Sequence, residues 1–142
     1  MTGALIAAAV LAAATVFGLL RRRRDGVLRA RRGSGDDEMS DILRPEDLGA
    51  ELGEKATLLQ FSSAFCAPCR TTRRVLGEVA GMVDGVAHVE LDAEAHLDLV
   101  RRLNVLRTPT VFVLDEAGRI VRSAAGAPRK PDVIAALGEA IR

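Results

Sequence analysis

Cys66 and Cys69 are the only cysteines among 142 residues, and they stand two apart in Cys66-Ala67-Pro68-Cys69. A strand-like run, Thr57-Leu58-Leu59-Gln60-Phe61, precedes them, and a helix-like stretch from Ala67 to about Gly81 follows. Two thiols at a helix start can close into a small disulfide ring and reopen. The first sulfur then faces the free N–H groups and the positive end of the helix, which favours thiolate. Thiolate is the form that attacks a disulfide, so the spacing suggests dithiol–disulfide exchange.

Other chemistries use the same spacing. Haem attachment requires a His directly after the second cysteine, and residue 70 is Arg. A zinc site would have to recruit His88 and His96, the only histidines, at a separation that matches no usual finger. A purely structural disulfide would brace a four-residue loop, where the chain-entropy gain is smallest. Zinc and an inert pair stay open on the motif alone, and no metal ligand set is assigned.

Three further stretches lie around and beyond the pair in a telling order: Phe61-Ser62-Ser63-Ala64-Phe65 before it, Arg107-Thr108-Pro109-Thr110 some forty residues on, then Val111-Phe112-Val113-Leu114-Asp115 with Gly118-Arg119-Ile120-Val121. With these, the chain from Ile42 to Ile141 resembles a thioredoxin-family domain. The resemblance implies that Cys66 is the exposed nucleophile and Cys69 the protected, resolving thiol. It implies that Pro109 is a cis-proline facing the dithiol, that the backbone of Thr108 pairs with the substrate chain, and that Gly126 lies beside the active site. Phe65 stands where the family usually has Trp and becomes an apolar wall beside Cys66. Ala67 and Pro68 set the geometry of the turn, and the missing Pro N–H bears on its redox potential. Gln60 occupies the position of the family's buried acid, and His88 falls near the Lys that partners it. A carboxamide cannot take up a proton as a carboxylate does, so Gln60 and His88 are candidate members of an altered proton relay to Cys69, with Glu90 or water as other routes.

The elements that must hold these residues follow from periodicity. Pro45 to Leu52 reads as a short helix, with Glu46 and Asp47 suited to its positive end. Residues 57–62 read as a buried strand. The helix after the cysteines offers Val75, Leu76, Val79 and Met82 inward and Arg70, Arg73 and Arg74 outward. Residues 86–92 alternate, with His88 and Glu90 on one face. Leu99, Val100 and Leu103 make a helical stripe, Val111 to Leu114 a central strand, and Pro131 opens a last helix with Ile134, Leu137 and Ile141 on one side. The order β-α-β-α-β-β-α predicts an α/β, thioredoxin-like fold: a mixed sheet of four to five strands with helices on both faces.

Charge is unevenly placed. Residues 1–20 carry none, residues 21–35 hold seven Arg against one Asp, and the remainder supplies a net −5 of the overall +1. The acidic globular part does not suggest nucleic-acid binding. The arginine run lacks aromatic interleaving and abuts 18 uncharged positions, Gly3 to Leu20. Those span ~27 Å at ~1.5 Å per residue, near a ~30 Å hydrocarbon core. A cleaved signal would want its positive charge before the apolar run. Here Arg21-Arg22-Arg23-Arg24 follow it, which resists translocation of what comes next. The expected organisation is one transmembrane helix at 3–20, a basic then acidic flexible linker at 21–40, and a domain at 41–142 on the cytoplasmic side of a single-pass protein.

The function expected is a membrane-anchored thiol–disulfide oxidoreductase whose working group is the Cys66–Cys69 disulfide itself, with no other cofactor. Its partners would be protein disulfides or dithiols and an electron donor, either a thioredoxin reductase or a membrane component. Two alternatives use the same groove: a redox sensor or adaptor without turnover, and an extracytoplasmic thiol-maturation protein.

Overall fold

The computed structural model describes residues 2–31 and 42–142. Helix α1 runs Thr2–Arg24, longer than the apolar span because the four arginines continue it. None of its residues is buried, and its apolar window has a mean hydropathy of 2.3. It is long and apolar enough to cross a membrane. Its one interior hydroxyl, on Thr15, donates back to Leu11 O at 2.7 Å, which satisfies a polar group within the helix.

The domain is built on five strands: β1 (Arg29–Ala30), β2 (Ala56–Ser62), β3 (Val86–Asp92), β4 (Thr110–Asp115) and β5 (Ile120–Ala125). Their spatial order is β1-β5-β4-β2-β3. Only β2 and β3 are parallel, joined by the crossover helix α3 (Ala67–Met82); the other neighbours run antiparallel. The expected mixed sheet is present, and its fifth strand comes from the segment read as linker.

Alternation sorts the side chains into two layers. Leu59 and Phe61 of β2 join Phe112, Leu114, Val89 and Leu91 on one face. There they meet α2 (Pro45–Leu48) and α4 (Leu97–Arg102) through Leu48 and Leu99. Ala56, Leu58, Val111 and Val113 point the other way, onto α3 and α5 (Lys130–Ala140) through Leu76, Val79, Val133 and Leu137. Phe61 and Phe112 meet edge to face at 5.9 Å, a favoured aromatic geometry.

Several local readings shift. The first domain helix ends at Leu48 because Gly49 takes a left-handed conformation, φ 61°, a common helix stop. Met82 is exposed, since the buried stripe of α3 is Cys69, Thr72, Leu76 and Val79. On α5 the buried face is Val133, Ala136, Leu137 and Ala140, leaving Ile134 and Ile141 largely exposed. Both stripes have helical spacing, and only the sheet decides which one is covered. The segment after α1 also departs from a loose tether. Arg29 pairs with Ser123 and Ala30 with Arg122, so β1 covers the edge that β5 would otherwise expose, and Leu28 packs against the α3–α5 layer. The rest of the expected linker, residues 32–40, lies outside the described residues.

Candidate dithiol active site

Strand β2 ends at Ser62 and α3 begins at Ala67, so the turn between them carries the first cysteine at the helix cap. Cys66 and Cys69 form a disulfide. Cys66 is the N-cap residue, and the Cys69 backbone N–H donates to its Sγ at 3.2 Å. Such a bond, together with the helix dipole, favours negative charge on that sulfur once the bridge opens. Pro68 sits in the first turn of α3, where no N–H is needed. The two sulfurs are unequal: Cys66 is half-buried, whereas Cys69 is 1% exposed. Ala67 and Pro68 lie on the surface, and Phe65 is fully exposed. A shallow depression lined by Ser63, Phe65, Cys66, Cys69, Arg70 and Arg73 opens beside the bridge.

The loop from Arg107 to Pro109 closes the other side. The Thr108–Pro109 peptide is cis. Thr108 Oγ1 and Ser63 Oγ share a hydrogen bond at 2.9 Å, which ties this loop to the turn before Cys66. Thr110 Oγ1 donates to Arg107 O at 2.6 Å, and Gly126 N–H donates to Pro109 O at 2.7 Å. Thr108, Pro109 and Gly126 are thus gathered around the dithiol turn. Ser63 carried no recognised signal in the sequence, although a hydroxyl between a strand end and a cysteine motif is well placed to brace the turn.

Gln60 is completely buried, and all its polar atoms are used. Its Nε2 donates to Cys69 O at 2.9 Å and to Ser62 Oγ at 2.9 Å. Its Oε1 lies 3.2 Å from His88 Nε2. A carboxamide oxygen only accepts, so His88 donates from Nε2. Burial holds the His88 pKa below its ordinary value; Glu90 opposes this and Arg73 adds to it. Glu90 is itself held below the usual carboxylate range, first by the Arg73 guanidinium, whose Nη2 donates to it at 2.6 Å. Gln60 and His88 are brought together, and the amide nitrogen is committed to the Cys69 carbonyl. The geometry favours a positioning part for the pair over proton transfer.

Two predictions arise here. His88 is neutral at pH 7, and unfolding releases it to an ordinary pKa of about 6.5. The unfolded chain therefore binds more protons below that value, and stability falls as pH drops from 7 toward 5. His88→Gln is expected to flatten the urea midpoint over this range. Thr72 is 1% exposed, and its hydroxyl has no partner among the described residues. Thr72→Val, of similar shape, is expected to stabilise the domain by about 1 kcal/mol in urea unfolding, by removing an unsatisfied polar group.

Among the described residues no group of three or more His, Cys, Asp or Glu is arranged to hold a metal ion. His96 is engaged away from the cysteines, with Nδ1 2.9 Å from Asp92 O.

Comparison with known proteins agrees with this architecture. The thioredoxin family model matches residues 42–139. Thioredoxin H2-1 of Oryza sativa subsp. japonica is 35% identical over 71 residues, which are 47% of this chain and 51% of that protein. Thioredoxin of Alicyclobacillus acidocaldarius is 29% identical over 91 residues, covering 63% of this chain and 86% of the relative. A mutant thioredoxin from Halobacterium salinarum superposes with a TM-score of 0.57 at 18% identity, over 80% of this chain and 88% of that one; at that identity the likeness concerns the fold. The chain spans about half the length of the rice relative.

Proposed function

This chain belongs to the thioredoxin family, and from that premise we propose that it is a membrane-anchored protein-disulfide oxidoreductase acting through Cys66 and Cys69. The observation that carries the reading is the inequality of the two sulfurs: the one at the helix cap is accessible and accepts an N–H, and its partner is covered.

In the reducing direction Cys66 thiolate attacks one sulfur of a substrate disulfide. A Cys66–substrate disulfide forms, and the other substrate sulfur leaves as thiolate. Cys69 thiolate then attacks the Cys66 sulfur, the substrate's second thiolate departs, and the Cys66–Cys69 bridge is closed. Two electrons have passed to the substrate. The same steps reversed oxidise a dithiol, so direction depends on the relative potentials. Phe65 offers an apolar surface beside the accessible sulfur. Thr108 makes no intrachain backbone hydrogen bond among the described residues, leaving its peptide groups for an extended substrate segment. Gln60 holds the Cys69 carbonyl and so the pitch of the first turn of α3.

Helix α1 supports anchoring by length and hydropathy, and Arg21 to Arg24 at its end favour keeping the domain in the cytoplasm. Substrates would then be disulfides presented close to the membrane, with electrons drawn from a thioredoxin reductase or a membrane donor.

The test is insulin reduction by dithiothreitol with the full chain in detergent. Catalysed precipitation supports an oxidoreductase. A bridge that opens and closes without turnover would replace it with a sensor or adaptor. Orientation is read separately, by a membrane-impermeant maleimide on reduced intact cells. Labelling only after lysis supports the cytoplasmic side, and labelling of intact cells moves the domain to extracytoplasmic thiol maturation. His88→Ala is expected to leave the rate near neutral pH unchanged; a several-fold slowing would reinstate the relay.

A further inference from the structure

The join between α1 and the domain builds a cavity that disulfide exchange does not use. Phe17 and Leu20 from the last apolar turns of α1, Arg21 and Arg24 from its basic end, Arg29 from β1 and Arg107 from the loop before Thr108 line it together. The single acid in the lining is Asp25. Its carboxylate is held by Arg107 at 2.8 Å, and the same guanidinium donates to Ala125 O at 2.8 Å. The guanidinium groups of Arg21, Arg24 and Arg29 meet no acceptor among the described residues. Among the described residues the cavity therefore presents three cations with no acid paired to them, against one apolar wall.

The walls come from distant parts of the chain, and two glycines let them meet. Gly26 has φ +71°, and a Cβ there would lie 2.0 Å from Ala127 O. Gly126 has φ +101°, and its Cβ would lie 2.9 Å from Gly26 N. In their absence Gly26 N–H reaches Ala125 O at 2.9 Å. This contact, with the β1–β5 pairing, seats the end of α1 against the domain instead of leaving it on a tether.

The placement of the cavity selects its occupant. The apolar stretch of α1 ends between Leu20 and Arg21, and in a spanning helix that boundary lies at the level of the lipid headgroups. Phe17 and Leu20 then face the glycerol and upper acyl region, while the arginines face the phosphate layer. Guanidinium matches phosphate through paired N–H donors. We propose that this cavity binds the headgroup of an anionic phospholipid, with Arg29 of the domain closing on a phosphate also held by Arg21 and Arg24 of the anchor. The proposal rests on the membrane-anchored reading above. It also gives the anchor a consequence for chemistry. Arg107, which braces the cavity through Asp25, immediately precedes Thr108, so a seated lipid would hold the substrate-binding loop at a set orientation to the membrane surface.

The test is native mass spectrometry of the full chain released from mixed phosphatidylcholine and phosphatidylglycerol nanodiscs. Retention of phosphatidylglycerol over phosphatidylcholine is expected. Arg29→Gln and Arg24→Gln should each weaken that retention about tenfold, the loss of one charge-assisted guanidinium–phosphate contact. Arg22→Gln, outside the lining, should leave it unchanged. Equal loss in all three variants would overturn the site in favour of diffuse attraction to charge, and so would the absence of any preference for phosphatidylglycerol. Displacement of the lipid by inorganic phosphate alone would overturn it in favour of a soluble ligand. Because Arg29→Gln can disturb β1, Arg24→Gln on the anchor keeps the result readable. Alkaline carbonate extraction separates the two readings: a chain that stays in the membrane without lipid preference loses only the site, and a chain that is released loses the anchor as well.

Discussion

Cys66→Ser is expected to reduce insulin turnover to the uncatalysed background, a loss of about three orders of magnitude or more, because a hydroxyl neither ionises near neutral pH nor forms a bond to sulfur that can be exchanged. The complementary variant separates the two thiols. Cys69→Ser retains an attacking thiolate but cannot resolve, so each molecule should stop after one encounter as a mixed disulfide through Cys66. Mass spectrometry under nonreducing conditions counts that adduct, and reductant should release it. The expected asymmetry follows from burial: Cys69 is 1% exposed, so a substrate disulfide should reach only Cys66. Adduct formation through Cys69 in the Cys66→Ser variant, with turnover retained in Cys69→Ser, would reverse the assignment. Both variants should fold, since the bridge closes a loop too short to contribute much chain entropy.

Phe61→Ala is expected to destabilise the domain by about 3–5 kcal/mol in urea unfolding, while Phe65→Ala four residues later should change stability by no more than about 0.5 kcal/mol. Phe61 is fully buried in the face shared with α2 and α4 and packs edge-on against Phe112. Removing its ring leaves a cavity within a sheet that has no slack to fill it. A loss of that size is a large part of the ~5–15 kcal/mol by which domains are stable. Phe65 touches no core cluster and lies open beside Cys66. Its truncation should raise KM for protein disulfides and leave the reaction with a small disulfide nearly unchanged. A drop in stability on Phe65→Ala matching that of Phe61→Ala would place the ring in the core and remove it from the substrate surface.

Both phenylalanines precede the motif, and only the family resemblance set Phe65 beside Cys66. Strand alternation places Phe61 on an inward face, but Phe65 lies past the strand end, where alternation stops. The same limit applies to α5, where Ile134 and Val133 each belong to a helical stripe and the sheet covers only the one containing Val133. Gly26 reads as one residue of a polar linker. Its importance appears only against Ala127, about a hundred residues away, where a Cβ has no room.

What the sequence determined by itself is what short-range chemistry controls. The spacing of Cys66 and Cys69 at a helix start, the proline in the first turn, the apolar runs of the central strands and the charge step after Leu20 each depend on neighbours within a few residues. The tertiary structure decided what needs segments far apart to meet: Gln60 closing on the Cys69 carbonyl and His88, Ser63 joined to Thr108, and β1 laid along β5 so that Arg29 and Arg107 stand beside the end of α1. Backbone preference is set locally, whereas burial and hydrogen-bond partners are set by which surfaces the packed sheet and helices bring together.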